Sequence, residues 1–214
     1  MKFYLDTADI KVIKELNQLA LVDGVTTNPS LIAKEGVDLK ERILEICKEI
    51  DGPISCEVLA TDHKKMVEEG LEYHSWHKNI FVKLPCTDEG LKALKILKSK
   101  DVKVNMTLVF SPMQALACAK LGADFVSPFL GRLDDTQCSG LEILEQIIQI
   151  YENYDFKTQV LAASIRSVDH VVNSALLGSD IATISPKVFK KMLKHPLTDI
   201  GLAKFLEDYK NSQK

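Results

Sequence analysis

Residues 80–109 decide the fold. They run Ile80-Phe81-Val82-Lys83-Leu84-Pro85, then Thr87-Asp88-Glu89, then Leu91, Leu94, Lys95 and Leu97 at helical spacing, and end in the apolar run 102–109. An apolar run without alternation is the mark of a strand buried on both faces. A capped amphipathic helix between two such runs makes a βαβ unit of a parallel sheet. Thr87 before the acidic pair is the cap. Lys83 is the foreign element. A buried lysine is costly unless paired, and burial pushes an amine toward the neutral form that attacks carbonyls. The plainer alternative is a strand-end lysine that reaches water along its flexible stem.

The same unit recurs along the chain. Strand-like runs occupy 3–6, 22–26, 54–58, 80–84, 102–109, 125–129, 159–162 and 181–184, with amphipathic stretches between them such as Leu141, Leu144, Ile147, Ile148 and Tyr151. Ser111 and Ser185 each precede a proline at a first helical position, and Ser167 and Thr198 begin further helices. Eight strands alternating with helices pair in parallel through right-handed crossovers. At roughly 25 residues per unit they predict one closed (β/α)8 TIM barrel spanning 1–214, slightly below the common size of about 250. Extra C-terminal helices are expected at 186–193 and 198–209. An open doubly wound sheet is the alternative, but no GxGxxG or GxxxxGK[ST] follows the first strand.

Composition narrows the function. Hydrophobic residues make up 46% of the 214, charged residues 27%, and mean hydropathy is −0.01, which describes a soluble globular chain. With no apolar run of membrane-spanning length and no signal peptide at Met1-Lys2-Phe3-Tyr4, no membrane partner is expected and the cytoplasm is the expected location. A net charge of −3 and a pI near 6.0 provide no field for nucleic acid. Cys47, Cys56, Cys86, Cys118 and Cys138 form no CxxC pair and read as mostly buried free thiols. His74-Ser75-Trp76-His77 lacks zinc-site spacing, so neither metal nor cofactor is expected. Of 27 basic residues only Arg42, Arg132 and Arg166 are arginine, and the last two each follow a strand closely. Arginine binds phosphate bidentately where lysine does not, so the pair suggests an anion clamp.

In a barrel, polar residues at the carboxyl ends of the strands are the ones available for chemistry. Here they are Asp6, Thr26 with Asn28, Glu57, Lys83, Asn105 with Thr107, Ser127, and Ser164 with Arg166. Each has a bland reading: Asp6 as a cap for the helix near Asp9, Asn28 as a turn residue, Glu57 as a structural ion-pair partner of Lys83, the serines as loop residues. Taken together, carboxylates, amides, hydroxyls, lysine and arginine at one end favour an active site. A neutral lysine adds to a ketone and loses water, giving an iminium that draws electrons from the neighbouring carbon–carbon bond. A carboxylate removes the hydroxyl proton that lets the bond break, and a second one manages the carbinolamine steps. Asp6 and Glu57 fit those roles, and Arg132, Ser164 and Arg166 fit a terminal phosphate.

These residues resemble the transaldolases, in the short-chain branch that also contains fructose-6-phosphate aldolases. The likeness runs through Leu5-Asp6-Thr7-Ala8, residues 24–31 (Gly-Val-Thr-Thr-Asn-Pro-Ser-Leu), Cys56-Glu57-Val58, Val82-Lys83-Leu84-Pro85, Ser127-Pro128-Phe129-Leu130-Gly131-Arg132, Ala163-Ser164-Ile165-Arg166 and residues 194–199. It implies a (β/α)8 barrel with Lys83 as the Schiff-base lysine, Asp6 as the acid/base at the cleaved bond, and Glu57 with Thr107 holding a catalytic water. It further implies that Asn28, Asn105 and Ser127 contact a dihydroxyacetone unit, beside Thr26, and that Arg132, Ser164 and Arg166 bind phosphate. The implied substrates are sugar phosphates of the non-oxidative pentose phosphate pathway: sedoheptulose 7-phosphate or fructose 6-phosphate as donor, glyceraldehyde 3-phosphate or erythrose 4-phosphate as acceptor. Aldolases of this branch carry Gln in place of Glu57 and Tyr in place of Phe129, so both positions point to transfer. Short members assemble as pentamers or decamers. A homo-oligomer is therefore expected, with the last helix packing either on a neighbour or on its own barrel.

Overall fold

A computed structural model describes residues 1–213. Eight strands are present: β1 Lys2–Asp6, β2 Gly24–Thr26, β3 Ile54–Glu57, β4 Ile80–Pro85, β5 Val104–Val109, β6 Phe125–Pro128, β7 Gln159–Ala162 and β8 Ile181–Ile184. They close in sequence order, with β8 back on β1 and every pairing parallel. The helices are α1 Ile10–Asn17, α2 Pro29–Glu35, α3 Leu39–Glu49, α4 His63–Trp76, α5 Asp88–Lys98, α6 Pro112–Lys120, α7 Leu130–Asp134, α8 Gly140–Asn153, α9 Val168–Leu176, α10 Pro186–Met192 and α11 Pro196–Ser212. This is the (β/α)8 barrel with additional C-terminal helices that the sequence predicts.

Local chemistry explains the boundaries. Thr87, Ser111 and Ser167 accept hydrogen bonds from the backbone N–H of Gly90, Gln114 and His170, so each caps its helix as expected. Ser185 precedes Pro186 without making a side-chain cap. The final helix starts two residues before Thr198: the ring of His195 accepts from Leu197 N, and Pro196 takes the first helical position, where its missing N–H costs nothing. Asp9, not Asp6, caps α1, which leaves the Asp6 carboxylate free for other partners.

Two cores result. Outward-facing strand residues and the inner helix faces, Ile43, Ile46, Leu94, Leu97, Leu144 and Ile147 among them, form the larger one. Inside the barrel Tyr4, Phe81, Phe125, Leu161, Ala163 and Ile181 form the smaller one, with Phe81 and Phe125 stacked at 4.5 Å. Tyr4, Phe81, Phe125 and Ile181 lie toward the amino ends of their strands, while Leu161 and Ala163 carry the plug up β7 to the cleft. Two positions further along β1, β4, β6 and β8 the inward residue is polar: Asp6, Lys83, Ser127 and Thr183. The barrel interior is thus an apolar plug under a polar floor.

Candidate active site

A cleft of about 230 Å³ opens at the carboxyl ends of the strands, lined by Asp6, Thr26, Asn28, Lys83, Thr107, Ser127, Phe129, Arg132, Ala163, Ser164, Arg166 and Thr183. Ten of the twelve residues expected from the sequence therefore share one cavity, while Glu57 and Asn105 lie behind its wall. Strand register explains the arrangement: Glu57 lies beside Lys83 across β3 and β4, and Lys83 lies beside Asn105 across β4 and β5.

Lys83 is 5% exposed. Its Nζ donates to Glu57 Oε2 at 2.9 Å and to the Thr27 carbonyl at 2.9 Å. The ion pair foreseen as the inert alternative is present, yet the lysine also lines the cleft, so a proton acceptor stands beside a side chain that reaches the cavity. Asp6 Oδ1 accepts from Thr26 Oγ1 at 3.0 Å. Burial raises the Asp6 pKa from its ordinary 3.8, against the attraction of Lys83 and the hydrogen bond from Thr26, with Glu57 adding repulsion. A carboxyl raised in this way is a stronger base than an ordinary aspartate.

Asn105 is fully buried: its amide donates to Ser55 Oγ at 3.0 Å and its carbonyl accepts from Ser127 Oγ at 2.7 Å. It holds Ser127, which does face the cleft. Thr107 is also enclosed, and its Oγ1 finds no protein partner. A buried orphan hydroxyl at a cleft wall is a place for a bound water or substrate oxygen. Asn28 caps α2, its Oδ1 accepting from Leu31 N at 2.9 Å, which leaves its NH2 as the group free to donate. The turn reading and the site reading of Asn28 therefore coexist in two halves of one amide.

The cationic side is built by the β6 and β7 exits. The Arg132 guanidinium lies 5.2 Å from the centre of the Phe129 ring, and Arg166 Nη2 donates to the exposed Asp135 at 2.8 Å. Ser164 has φ of +56°, a left-handed conformation that an L-residue adopts at a cost of about 1 kcal/mol. Its carbonyl accepts from Gly131 N at 3.0 Å. A Cβ at Gly131 would sit 2.4 Å from that carbonyl and 2.5 Å from Arg166 Cγ, so glycine there is what lets the two arginine-bearing segments touch.

Sequence reading missed two polar residues. Ser55 supports Asn105 from one position pair below Glu57. Thr183 supplies the hydroxyl from β8, the one strand for which no polar residue was singled out, and its position inside the run Ile181-Ala182-Thr183-Ile184 was the available signal. The five cysteines are free thiols; three are buried, Cys86 is half-buried and Cys138 is exposed. Among the described residues no group of three or more His, Cys, Asp or Glu is placed to hold a metal ion, and no helix is long and apolar enough to cross a membrane.

Among solved structures, a thiamine phosphate pyrophosphorylase from Pyrococcus furiosus is 17% identical with a TM-score of 0.60, over 89% of this chain and 93% of that one. A mandelate oxidase mutant with a monooxide FMN adduct is 13% identical with a TM-score of 0.58, over 87% of this chain and 64% of that one. At such identities only the barrel is shared. Sequence relatives say more. Proteins named probable transaldolase from Desulfatibacillum aliphaticivorans and Geotalea uraniireducens are 55% and 54% identical over 214 residues, covering both chains fully. Another from Clostridium botulinum strain Loch Maree is 52% identical over 99% of this chain and 98% of its own. The Transaldolase/Fructose-6-phosphate aldolase family model matches residues 3–214, and with these relatives it establishes that the chain belongs to that family.

Proposed function

We propose that residues 1–214 act as one catalytic barrel, a transaldolase that moves a dihydroxyacetone unit between sugar phosphates through a Schiff base on Lys83. The observation that carries this reading is a nearly buried lysine that faces a cleft while bonded to one carboxylate, with a second, pKa-raised carboxylate across the same cavity. Lys83 Nζ passes a proton to Glu57 and attacks the ketone carbon of fructose 6-phosphate or sedoheptulose 7-phosphate. Proton return through Glu57, with a water held at Thr107, expels hydroxide as water and leaves an iminium. Asp6 then takes the proton of the C4 hydroxyl, the C3–C4 bond breaks toward the iminium, and an aldose phosphate departs. The enamine left on Lys83 attacks the acceptor aldehyde, erythrose 4-phosphate or glyceraldehyde 3-phosphate, and the steps reverse to free the amine. Asn28 and Ser127, the latter held by Asn105, fix the dihydroxyacetone hydroxyls. Arg132 and Arg166, with Ser164, take the phosphate; Arg166 exchanges its exposed Asp135 partner for the ligand.

A fructose-6-phosphate aldolase would protonate the enamine and release free dihydroxyacetone. Phe129 speaks against it, since a phenyl ring has no proton to give where a phenol would. A purely structural Lys83–Glu57 pair in a phosphate-binding barrel predicts no turnover at all. One assay separates the three: glyceraldehyde 3-phosphate release from fructose 6-phosphate, with and without erythrose 4-phosphate, with folded Lys83→Met as the blank. Release that needs the acceptor and vanishes in the variant is the expected result. Acceptor-independent release makes the protein an aldolase, and none at all makes it a binding protein.

The reading includes assembly and place. Not one of the 17 residues of α11 is buried, and Leu197, Ile200, Leu202, Phe205, Leu206 and Tyr209 are all more than half exposed. A neighbouring copy that covers this face makes the protein a homo-oligomer, a pentamer or decamer by family analogy. The cytoplasm, where sugar phosphates are held, is the proposed location.

A further inference from the structure

Thr183 Oγ1 and Thr26 Oγ1 are 2.6 Å apart, and Thr26 Oγ1 is 3.0 Å from Asp6 Oδ1. Proton counting fixes the direction of this chain. A threonine hydroxyl has one proton, and the Asp6 carboxylate is an acceptor with none to give while ionised. Thr26 therefore donates to Asp6, and the short contact behind it has to be Thr183 donating to Thr26. Both threonines are nearly enclosed, at 3% and 2% exposure, and Thr183 Oγ1 is the protein donor placed behind Thr26. We propose that Thr183 is a positioning residue for the proposed transaldolase reaction, one that holds the Thr26 proton on Asp6 and so fixes the orientation and basicity of the carboxylate at the cleaved bond. A hydroxyl that is itself hydrogen-bonded as an acceptor is a stronger donor, so the carboxylate feels Thr183 through Thr26.

The charged groups that act on Asp6 are Lys83 on β4 and Glu57 on β3. Neither touches Thr183, so removing its hydroxyl alters the chain from Thr26 alone. The inference rests on the transaldolase reading, and the experiment keeps their failures apart. Thr183→Val replaces the hydroxyl by a methyl at nearly constant volume in a strand that favours branched residues, and Thr183→Ser keeps the hydroxyl. The readouts are the pH profile of kcat/KM for acceptor-dependent cleavage of fructose 6-phosphate, and borohydride trapping of the Lys83 adduct with dihydroxyacetone, which requires no bond cleavage and so no Asp6.

The expected result is a roughly five- to tenfold loss of kcat in Thr183→Val, the worth of about one hydrogen bond, with KM little changed. The acid limb moves to higher pH because the carboxylate has lost part of its support, trapping stays at the wild-type level, and Thr183→Ser recovers most of the rate. Three outcomes overturn the inference: an unchanged rate and profile in Thr183→Val, an equal loss in Thr183→Ser, or trapping that falls in step with cleavage. If the valine variant does not fold, Thr183→Ala against Thr183→Ser makes the same comparison by one oxygen atom. If wild-type protein neither cleaves nor traps, it is the transaldolase reading that fails.

Discussion

Burial dominates at Asp6, although Lys83 and Thr26 both favour its charge, and its carboxyl is held above the ordinary 3.8. The folded state then binds more protons than the unfolded one between the two values, so this group makes stability fall as pH rises through that window. Asp6→Asn is expected to melt higher than wild type at pH 7, with an advantage that shrinks toward pH 4, in calorimetric scans across pH. The same variant loses about 10²–10⁴-fold in cleavage while keeping the borohydride-trapped Lys83 adduct, the separation expected of a general base that acts after the Schiff base forms. At Arg132 the cation faces an aromatic ring and the cleft. Arg132→Ala is expected to raise KM for fructose 6-phosphate by roughly 10–100-fold, the worth of charge-assisted phosphate bonds, and to leave adduct formation with unphosphorylated dihydroxyacetone unchanged. A drop in that adduct would count against a phosphate role. Phe129→Tyr places a phenol at the cleft, and its expected signature is new acceptor-independent release of dihydroxyacetone in a coupled assay.

Between strands and helices, two backbone devices shape the site. β5 shifts register on β6 between Met106 and Val109, and Leu108 at φ +57° is the residue that absorbs the shift. The other device is Gly131 under Arg166. Gly131→Ala forces a carbonyl and an arginine stem apart, which is expected to cost about 1–3 kcal/mol of stability and to raise KM for the phosphorylated donor more than it lowers kcat, as denaturant melts and steady-state kinetics would record. Neither device was legible from periodicity. A strand bulge leaves the apolar pattern of 102–109 intact, and glycine needs a neighbour from another element before its missing Cβ has meaning. The strands themselves were legible to within two residues because both of their faces are buried, so apolar runs and their punctuation coincide. The polar floor was legible at seven strands, since a polar residue ending an apolar run stands out. Thr183 was not, because one threonine inside a β-branched run is ordinary strand composition.

At the scale of the whole molecule, the same logic that closes the barrel leaves α11 unexplained within one chain. Eight strands covered by helices bury both faces of the sheet, and the cores are complete without a contribution from the last helix. Its apolar spacing suited either its own barrel or a neighbour, and the exposure of every described residue but the half-buried Gly201 speaks against the first option. Exposing six large apolar side chains along one helix to water is a burden that association relieves, at about 25 cal/mol per Å² covered. A charge in the middle of that face should prevent it. Phe205→Glu and Ile200→Glu are expected to lower the mass seen by light scattering from that of an oligomer to that of the single 23.9 kDa chain. Lys83, Asp6 and Glu57 sit on β4, β1 and β3 of the same barrel, so Lys83 adduct trapping is expected to persist in the dissociated protein. A wild-type protein that is already monomeric at micromolar concentration would remove the argument for a partner copy. Loss of trapping on dissociation would instead mean that the neighbour holds the cleft in shape, and would tie assembly to catalysis.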